Sequence, residues 1–286
     1  MAINVVLMVT NGETAVGMEE LYHCFKNNDK INVTLLGIPM LDRLKSTLRH
    51  SSTIEITKLW SDKNLEFVTY EGGDLKFLNP DYVFYGTPYH GYIPPELQID
   101  KVQKYAKICY FGYGYECWHC RKYKHLVIDF LRKADMFFVE NKIYYNEFMK
   151  HIGNEKPEFR FKEKTYITGH PKVNSIKFQP EMNYTTFGWS PRWAPADSGF
   201  YDYKDFLTNH FQNDKDINLN VKYHPMMDIE WRNKFEENIV NDKNITIYRE
   251  IYYTKYFETI DVLICDVSSF ISEFFPTGKP VVFCFK

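Results

Sequence analysis

The stretch that decides the fold runs Asp261-Val-Leu-Ile-Cys-Asp-Val-Ser-Ser-Phe-Ile-Ser-Glu-Phe-Phe-Pro-Thr-Gly-Lys-Pro-Val-Val-Phe-Cys-Phe285. Its apolar run predicts a buried strand from Val262 to Cys265. Ser268 and Ser269 then open a predicted helix, which the Gly-Lys-Pro segment ends. A second apolar run, Val281 to Phe285, predicts the next strand. A strand, a helix and a strand in this order are the unit of a parallel α/β sheet.

The two serines follow the carboxyl end of the first of these strands. The first N–H groups of a helix have no partner within the helix, and the helix dipole favours negative charge there. Ligands of open α/β sheets bind at the carboxyl edge of the strands. The position of Ser268 and Ser269 at this helix start therefore predicts an anion site that is suited to phosphate.

The same alternation of strands and helices extends over the whole chain. A polar, charged stretch from Asn154 to Lys164 interrupts it and predicts a boundary between two domains, 1–160 and 161–286. We expect two Rossmann-like, doubly wound α/β domains that face a cleft. The predicted strands are 3–10, 31–36, 81–85, 107–111 and 136–140 in the first half, and 165–168, 185–189, 219–223, 245–248, 262–265 and 281–285 in the second. The predicted helices are 14–27, 123–133, 142–151, 200–211, 229–241 and 268–277.

The last predicted strand ends one residue before Lys286. A complete second Rossmann-like domain normally has further elements that cover such a strand. We therefore expect the second domain to be truncated at its C-terminus, with the alternative that 281–285 is simply its final strand.

Composition excludes some functional classes. Of the 286 residues, 44% are hydrophobic and 25% are charged, which is typical of a globular protein. The net charge of −2 argues against a general nucleic-acid-binding protein. The chain has no apolar run of 18 residues, and its six cysteines lie mostly within or beside strand-like runs. These features predict a cytoplasmic protein with free thiols, or at most one that is peripheral on a membrane.

Two patterns suggest a metal site only superficially. Cys117 and Cys120 have the spacing of zinc ligands, but the second pair that a structural zinc site needs is missing. Asp214 and Asp216 imitate a metal-binding DxD motif within a polar loop, where a solvated turn is the simpler interpretation. The prediction is an enzyme that needs neither a metal nor another cofactor.

Other candidate ligand-binding residues follow predicted strands of the second half. His224 precedes Pro225, which holds it extended at the carboxyl end of strand 219–223. Ser190 and Arg192 follow strand 185–189, where a cation among aromatic residues suits a phosphate or a base. Lys172 lies in a glycine-containing turn after strand 165–168, a turn that could equally be only a hinge.

In the first half, His90 follows strand 81–85, and Tyr113 and Glu116 follow strand 107–111. We expect these three side chains to lie near the cleft. A general base needs such a position opposite a donor phosphate.

Together these segments resemble the CDP-glycerol glycerophosphotransferase family, the wall teichoic acid and capsule polymerases with the GT-B fold. The resemblance is good over 165–286 and weak before it. The segments that carry it are Asp261 to Phe274 with Gly278-Lys-Pro280, His224-Pro225, Gly169-His-Pro-Lys172-Val-Asn174 and Ser190-Pro-Arg-Trp193.

The resemblance implies that His224, Ser268 and Ser269 hold the pyrophosphate of the donor. Glu273, one helical turn beyond Ser269, is a candidate for a donor hydroxyl. The family's other key histidine lies in a His-Gly-Thr-Pro tetrapeptide that this chain does not have. In its place we favour His90 as the base, with Tyr113 and Glu116 behind it.

The family implies transfer of a polyol phosphate, such as glycerol phosphate, from a CDP-linked donor to an acceptor hydroxyl, with release of CMP. The acceptor would be a polyol phosphate or a lipid-linked glycan, with peripheral contact at the inner face of the cell membrane. Two alternatives stay open: a GT-B glycosyltransferase that uses a CMP- or UDP-sugar, and a donor-binding remnant without catalytic activity.

Overall fold

The computed structural model describes residues 2–42, 47–112, 114–115, 128–154, 157–181, 183, 185–250, 252–266 and 268–284. The chain divides into two compact units, Met1–Ser175 and Ile176–Lys286. Each unit has its own parallel sheet with helices in the connections between strands. The predicted α/β class with two Rossmann-like units is therefore confirmed.

The first unit contains a parallel sheet with the strand order β5-β2-β1-β6-β7-β8-β9. Its strands are β1 (Ile3–Val9), β2 (Ile31–Gly37), β5 (Phe67–Thr69), β6 (Tyr82–Tyr85), β7 (Lys107–Phe111), β8 (Met136–Val139) and β9 (Thr165–Ile167), and β3 (Met40–Asp42) pairs with β4 (Thr47–Arg49) as an antiparallel hairpin. Its helices are α1 (Gly12–Lys26), α2 (Ser51–Asp62), α3 (Ile99–Val102), α4 (Ile128–Lys133), α5 (Lys142–Phe148) and α6 (Phe161–Lys164), with short 3₁₀ turns that include His90–Tyr92 and Pro171–Ser175.

The prediction for strand 165–168 was wrong in one respect, because this strand belongs to the first sheet. In β9, Thr165 and Ile167 are in parallel register with Phe137 and Val139 of β8. The polar stretch before β9 is a connection within the first unit, in which Phe161 is 1% exposed and packs into that unit's core. The first unit consequently extends to Ser175 instead of ending near residue 160.

The second unit contains a parallel sheet with the order β12-β11-β10-β13-β14. Its strands are β10 (Thr186–Ser190), β11 (Asn218–Val221), β12 (Ile245–Ile247), β13 (Val262–Cys265) and β14 (Val281–Phe283). Its helices are α7 (Phe200–Asn213), α8 (Ile229–Ile239), α9 (Thr254–Thr259) and α10 (Ser269–Phe274), and a 3₁₀ turn at Phe275–Thr277 completes the predicted helix 268–277. The short helix α9 was not predicted, because its six residues are too few for a clear amphipathic period.

In both sheets, aspartates that directly precede a strand bind the amino end of the neighbouring strand. Three of these carboxylates accept a hydrogen bond from a backbone N–H at the start of the neighbouring strand. The pairs are Asn4 N with Asp81 Oδ2 at 2.8 Å, Ile108 N with Asp135 Oδ2 at 2.9 Å, and Thr186 N with Asp261 Oδ2 at 3.1 Å. These contacts lie at the end of each sheet opposite to its carboxyl edge.

The Gly-Lys-Pro segment of the quoted stretch has a structural role. The ammonium group of Lys279, whose side chain is buried, donates to the carbonyl oxygens of Phe257 at 3.1 Å and Ile260 at 2.7 Å. These carbonyls end helix α9 and would otherwise lack partners. Gly278 has a φ of +78°, and a Cβ there would lie 2.5 Å from the ring of Phe178. The segment therefore fastens α9 to the start of β14.

We expect Lys279→Met to lower the free energy of unfolding by about 2 kcal/mol, because it leaves buried carbonyl groups without donors. Urea denaturation measures this change. Lys177→Met is the matched control, since Lys177 forms a largely exposed ion pair at 3.0 Å with Glu258, which lies on α9. Exposed pairs contribute only about 0–1 kcal/mol. Equal, small effects of the two variants would contradict the capping role of Lys279.

Within the described ranges, no helix combines the length and the apolar character that crossing a bilayer requires.

Candidate functional site

The candidate site lies at the carboxyl edge of the second sheet. Strands β11, β10 and β13 are neighbours, and in register Trp189 faces Val221 while Ser190 faces Cys265. The loops that follow these three strands therefore begin side by side. They carry Arg192, His224 and Ser268, the predicted residues from three distant parts of the sequence.

His224 is held as a hydrogen-bond donor. The backbone N–H of Met226 donates to its Nδ1 at 3.1 Å. In the neutral ring the proton is consequently on Nε2. Burial, with the positive charges of Arg192 and Arg232, lowers the pKa of His224 to about 4. At pH 7 the side chain is therefore a neutral imidazole whose Nε2–H can donate to a ligand oxygen.

Arg232, which the sequence analysis missed, holds the loop that carries His224. From helix α8 its guanidinium donates to the carbonyl oxygens of Met227 and Pro225, both at 2.9 Å. The guanidinium also lies 5.9 Å from the centre of the Tyr223 ring. No local motif marks this arginine, because its role depends on a helix folding back onto the preceding loop.

The loop between β10 and α7 adds a cation and an aromatic face. The guanidinium of Arg192 lies 3.7 Å from the carboxylate of Asp197 and is about one third exposed. Next to it, the ring of Trp193 lies 6.3 Å from the ring of His224, centre to centre. A guanidinium of this kind suits phosphate oxygens, and an indole face suits a base or a sugar.

The serines stand at the start of helix α10, as predicted. Ser268 caps the helix, because its Oγ accepts the N–H of Phe270 at 3.2 Å. Ser269 is exposed at the first position of the helix. Since α10 is only six residues long, its dipole is small, and the hydroxyl groups with His224 and Arg192 are the candidate anion-binding groups.

Three of the predicted donor contacts lie elsewhere. Ser190 is 7% exposed, and its Oγ donates to the hydroxyl of Tyr256 at 3.4 Å. Glu273 is 2% exposed on the buried side of α10. Lys172 is 2% exposed and lies in the first unit, against Gly17 of helix α1. Ser190 and Glu273 are therefore buried within the second unit, and Lys172 belongs to the first.

The turn that contains Lys172 braces the first unit. Gly169 has a φ of +85°, which favours glycine. His170 donates from Nε2 to the carbonyl oxygen of Gly112 at 2.7 Å, and its Nδ1 accepts the N–H of Lys172 at 3.3 Å. Burial, followed by the charge of Lys172, lowers the pKa of His170 to about 3. The turn thus joins the end of β9 to the end of β7.

Of the predicted catalytic residues, only His90 lies within the described part of the chain; Tyr113 and Glu116 lie outside it. His90 begins a short 3₁₀ turn after β6, and its ring packs edge-on at 6.0 Å from that of Phe130. Burial and the nearby charge of Lys133 lower the pKa of His90. A neutral imidazole at pH 7 can accept a proton, so His90 as the base stays a prediction.

The described residues contain no group of three metal-ligating side chains. In the DxD-like segment, the backbone N–H of Asp216 donates to Oδ1 of Asp214 at 3.0 Å, which closes a turn between α7 and β11. Cys117 and Cys120 lie outside the described residues, and independence from metals remains a prediction.

Comparison with known proteins identifies the fold. No protein-family model and no curated protein sequence matches this chain. Several solved structures match it. The S. aureus protein MnaA with UDP matches with a TM-score of 0.65 and 10% identity, over 98% of this chain and 78% of that chain. The UDP-GlcNAc 2-epimerase from Neisseria meningitidis bound to UDP-GlcNAc matches with a TM-score of 0.58 and 10% identity, over 98% of this chain and 81% of that chain. The wall teichoic acid polymerase TagF, in a structure with CDPG, matches with a TM-score of 0.59 and 10% identity, over 98% of this chain and 69% of that chain.

The fold is GT-B-like. At such low identity these likenesses concern the fold alone.

Proposed function

We propose that this protein is a transferase that moves a glycerol phosphate, or a related polyol phosphate, from a CDP-linked donor to an acceptor hydroxyl, with release of CMP. The observation that carries the proposal is the meeting of His224, Arg192 and the paired serines at one edge of the second sheet. These groups match the oxygens of a pyrophosphate, since they combine a neutral N–H donor, a cation and hydroxyl donors. A structural neighbour, TagF, binds CDP-glycerol, which agrees with this donor class.

In the proposed reaction, the acceptor hydroxyl oxygen forms a bond to the β-phosphorus of the donor. The bond between the β-phosphorus and the bridging oxygen breaks, and CMP leaves with that oxygen. His90 accepts the proton of the hydroxyl. The Nε2–H of His224, the guanidinium of Arg192 and the serine hydroxyls stabilise the charge that develops on the leaving phosphate.

The biological setting that we propose follows from this chemistry. The acceptor is a polyol-phosphate chain or a lipid-linked glycan of a cell-wall or capsular polymer. The protein acts in the cytoplasm, with peripheral contact at the inner face of the membrane. Neither a metal nor another cofactor takes part.

A second candidate is a GT-B glycosyltransferase that uses a CMP- or UDP-sugar. It is favoured by the neighbours that bind UDP or UDP-GlcNAc, of which MnaA has a higher TM-score than TagF. The same pyrophosphate-binding groups serve a UDP-linked donor, so the distal group of the donor separates the two candidates.

Calorimetric titration of the chain with CDP-glycerol, CDP-ribitol, CMP-sialic acid and UDP-GlcNAc tests the proposal. We expect CDP-glycerol or CDP-ribitol to bind at least about tenfold more tightly than the two sugar nucleotides, and to release CMP when a polyol-phosphate acceptor is added. Preference for a sugar nucleotide would support the second candidate. Binding without CMP release would support a donor-binding protein without catalytic activity.

A further inference from the structure

One buried carboxylate lies next to the candidate site. Asp266 directly follows β13 and is 1% exposed. Its Oδ2 accepts the backbone N–H of Arg192 at 2.7 Å. Its Oδ1 lies against Gly199, where a Cβ would come within 2.7 Å of that oxygen. A single side chain directly after β13 therefore contacts both ends of the loop between β10 and α7.

The electrostatics of Asp266 agree with this geometry. Burial raises its pKa, and the backbone N–H of Arg192, which donates to Oδ2, opposes that rise. A buried carboxylate is costly unless such donors compensate it. Asp266 and the loop thus stabilise each other.

The loop held in this way carries Arg192 and Trp193, the two residues that approach His224. The Trp193 ring lies 6.3 Å from the His224 ring, and the charge of Arg192 lowers the pKa of His224. A shift of the loop would move both side chains together. The contact to Asp266 thereby sets where the cation stands relative to the imidazole.

We propose that Asp266 is a positioning residue, which clasps Arg192 and Gly199 and thereby holds the Arg192 guanidinium and the Trp193 ring beside His224. The effect on donor binding rests on the proposed function, whereas the effect on the loop does not. Asp266→Asn is the informative variant, because it keeps the shape of the side chain and removes the charge that strengthens the hydrogen bond from the backbone N–H of Arg192.

The first two measurements use the protein without ligand. In Asp266→Asn we expect the amide hydrogen of Arg192 to exchange roughly tenfold faster or more, since its hydrogen bond to a charged carboxylate is replaced by a weaker one to a neutral amide. NMR titration of His224, assigned with His224→Gln, should show its pKa rising toward the ordinary value as Arg192 moves away. Removal of the Asp266 charge alone would lower that pKa, so the sign separates the two effects.

Asp261→Asn is the matched control. Asp261 lies at the other end of β13, and its Oδ2 accepts the backbone N–H groups of Thr185 and Thr186, both at 3.1 Å. This variant also loses a carboxylate that binds backbone groups, but it should leave the exchange of the loop and the pKa of His224 unchanged. Gly199→Ala is a second variant that displaces the carboxylate without removing its charge, and it should act in the same direction as Asp266→Asn.

Calorimetric titration with CDP-glycerol completes the test, with an expected loss of affinity of roughly tenfold or more in Asp266→Asn. Unchanged amide exchange, or a fall in the His224 pKa, would overturn the clasp. If Asp266→Asn releases the loop but keeps full affinity for CDP-glycerol, Asp266 has no role in donor binding. If the unmodified chain binds no CDP-glycerol, the proposed function fails, and the exchange and NMR results still decide the role of Asp266.

Discussion

Replacing His224 with alanine is expected to reduce the release of CMP from CDP-glycerol about a hundredfold or more. The variant removes the Nε2–H donor at the edge where β11 ends, and loss of one preorganised donor to a developing oxyanion typically costs this much. The measurement is the initial rate of CMP formation with saturating acceptor. Donor affinity, measured by calorimetry, should fall in the same variant.

Two controls separate this role from a general disturbance. His210→Ala alters an exposed histidine on α7, whose ring stacks on Phe206, and should leave CMP release unchanged. His224→Gln keeps a hydrogen-bond donor but cannot titrate, and should retain part of the activity. Full activity of His224→Ala would exclude His224 from the reaction.

The pH dependence of donor binding provides a further check on the same residue. With a pKa of about 4, the free His224 is neutral at pH 7. A bound pyrophosphate stabilises the protonated ring and raises this pKa, so the complex holds more protons than the free protein. Affinity for CDP-glycerol should therefore rise as the pH falls from 7 toward 5. His224→Gln should lose that increase.

Trp189→Ala is expected to lower the free energy of unfolding of the second unit by about 3–5 kcal/mol, the usual cost of deleting a buried tryptophan ring. Trp189 lies in the central strand β10 and is fully buried. Its ring stacks on that of Phe200 at 5.4 Å and meets that of Phe235 edge-on at 5.9 Å. Urea denaturation, followed by circular dichroism, measures the loss.

Trp189→Phe is the matched control. The indole Nε1 of Trp189 has no hydrogen-bond partner among the described residues, so phenylalanine keeps an aromatic ring and removes a buried unpaired N–H. Trp189→Phe should lower the free energy of unfolding clearly less than Trp189→Ala does. An alanine variant as stable as the phenylalanine variant would show that the ring is not central to this core.

The sequence predicted the part of the site that depends on local patterns. His224 and Ser268 each follow a short apolar strand, and parallel strands bring their carboxyl ends to one edge of a sheet. Arg192 follows the strand between them in the sheet. The alternation of strands and helices was therefore enough to expect these three residues at the same edge of one parallel sheet, whereas the order of the strands in that sheet came from the structure.

For other predicted site residues, the outcome depended on which way the side chain faces or on which sheet the preceding strand joins. Ser190 and Glu273 have the right sequence positions, but both are buried against their own unit. Lys172 follows a strand that pairs with β8, which places it in the first unit. Strand pairing is a contact between distant segments, and the short polar segment before β9 does not specify it.

The amino-acid sequence by itself determined the α/β class, the positions of most strands and the serines that begin the helix after β13, because apolar periodicity, capping residues and Gly-Lys-Pro breaks act within a few residues. Tertiary structure alone decided that the first sheet takes up Thr165–Ile167 and that Lys279 caps helix α9. It alone also placed Asp266 behind the loop of Arg192. Each of these contacts joins residues that are far apart in the chain, and burial gives them their strength only once the sheets have formed.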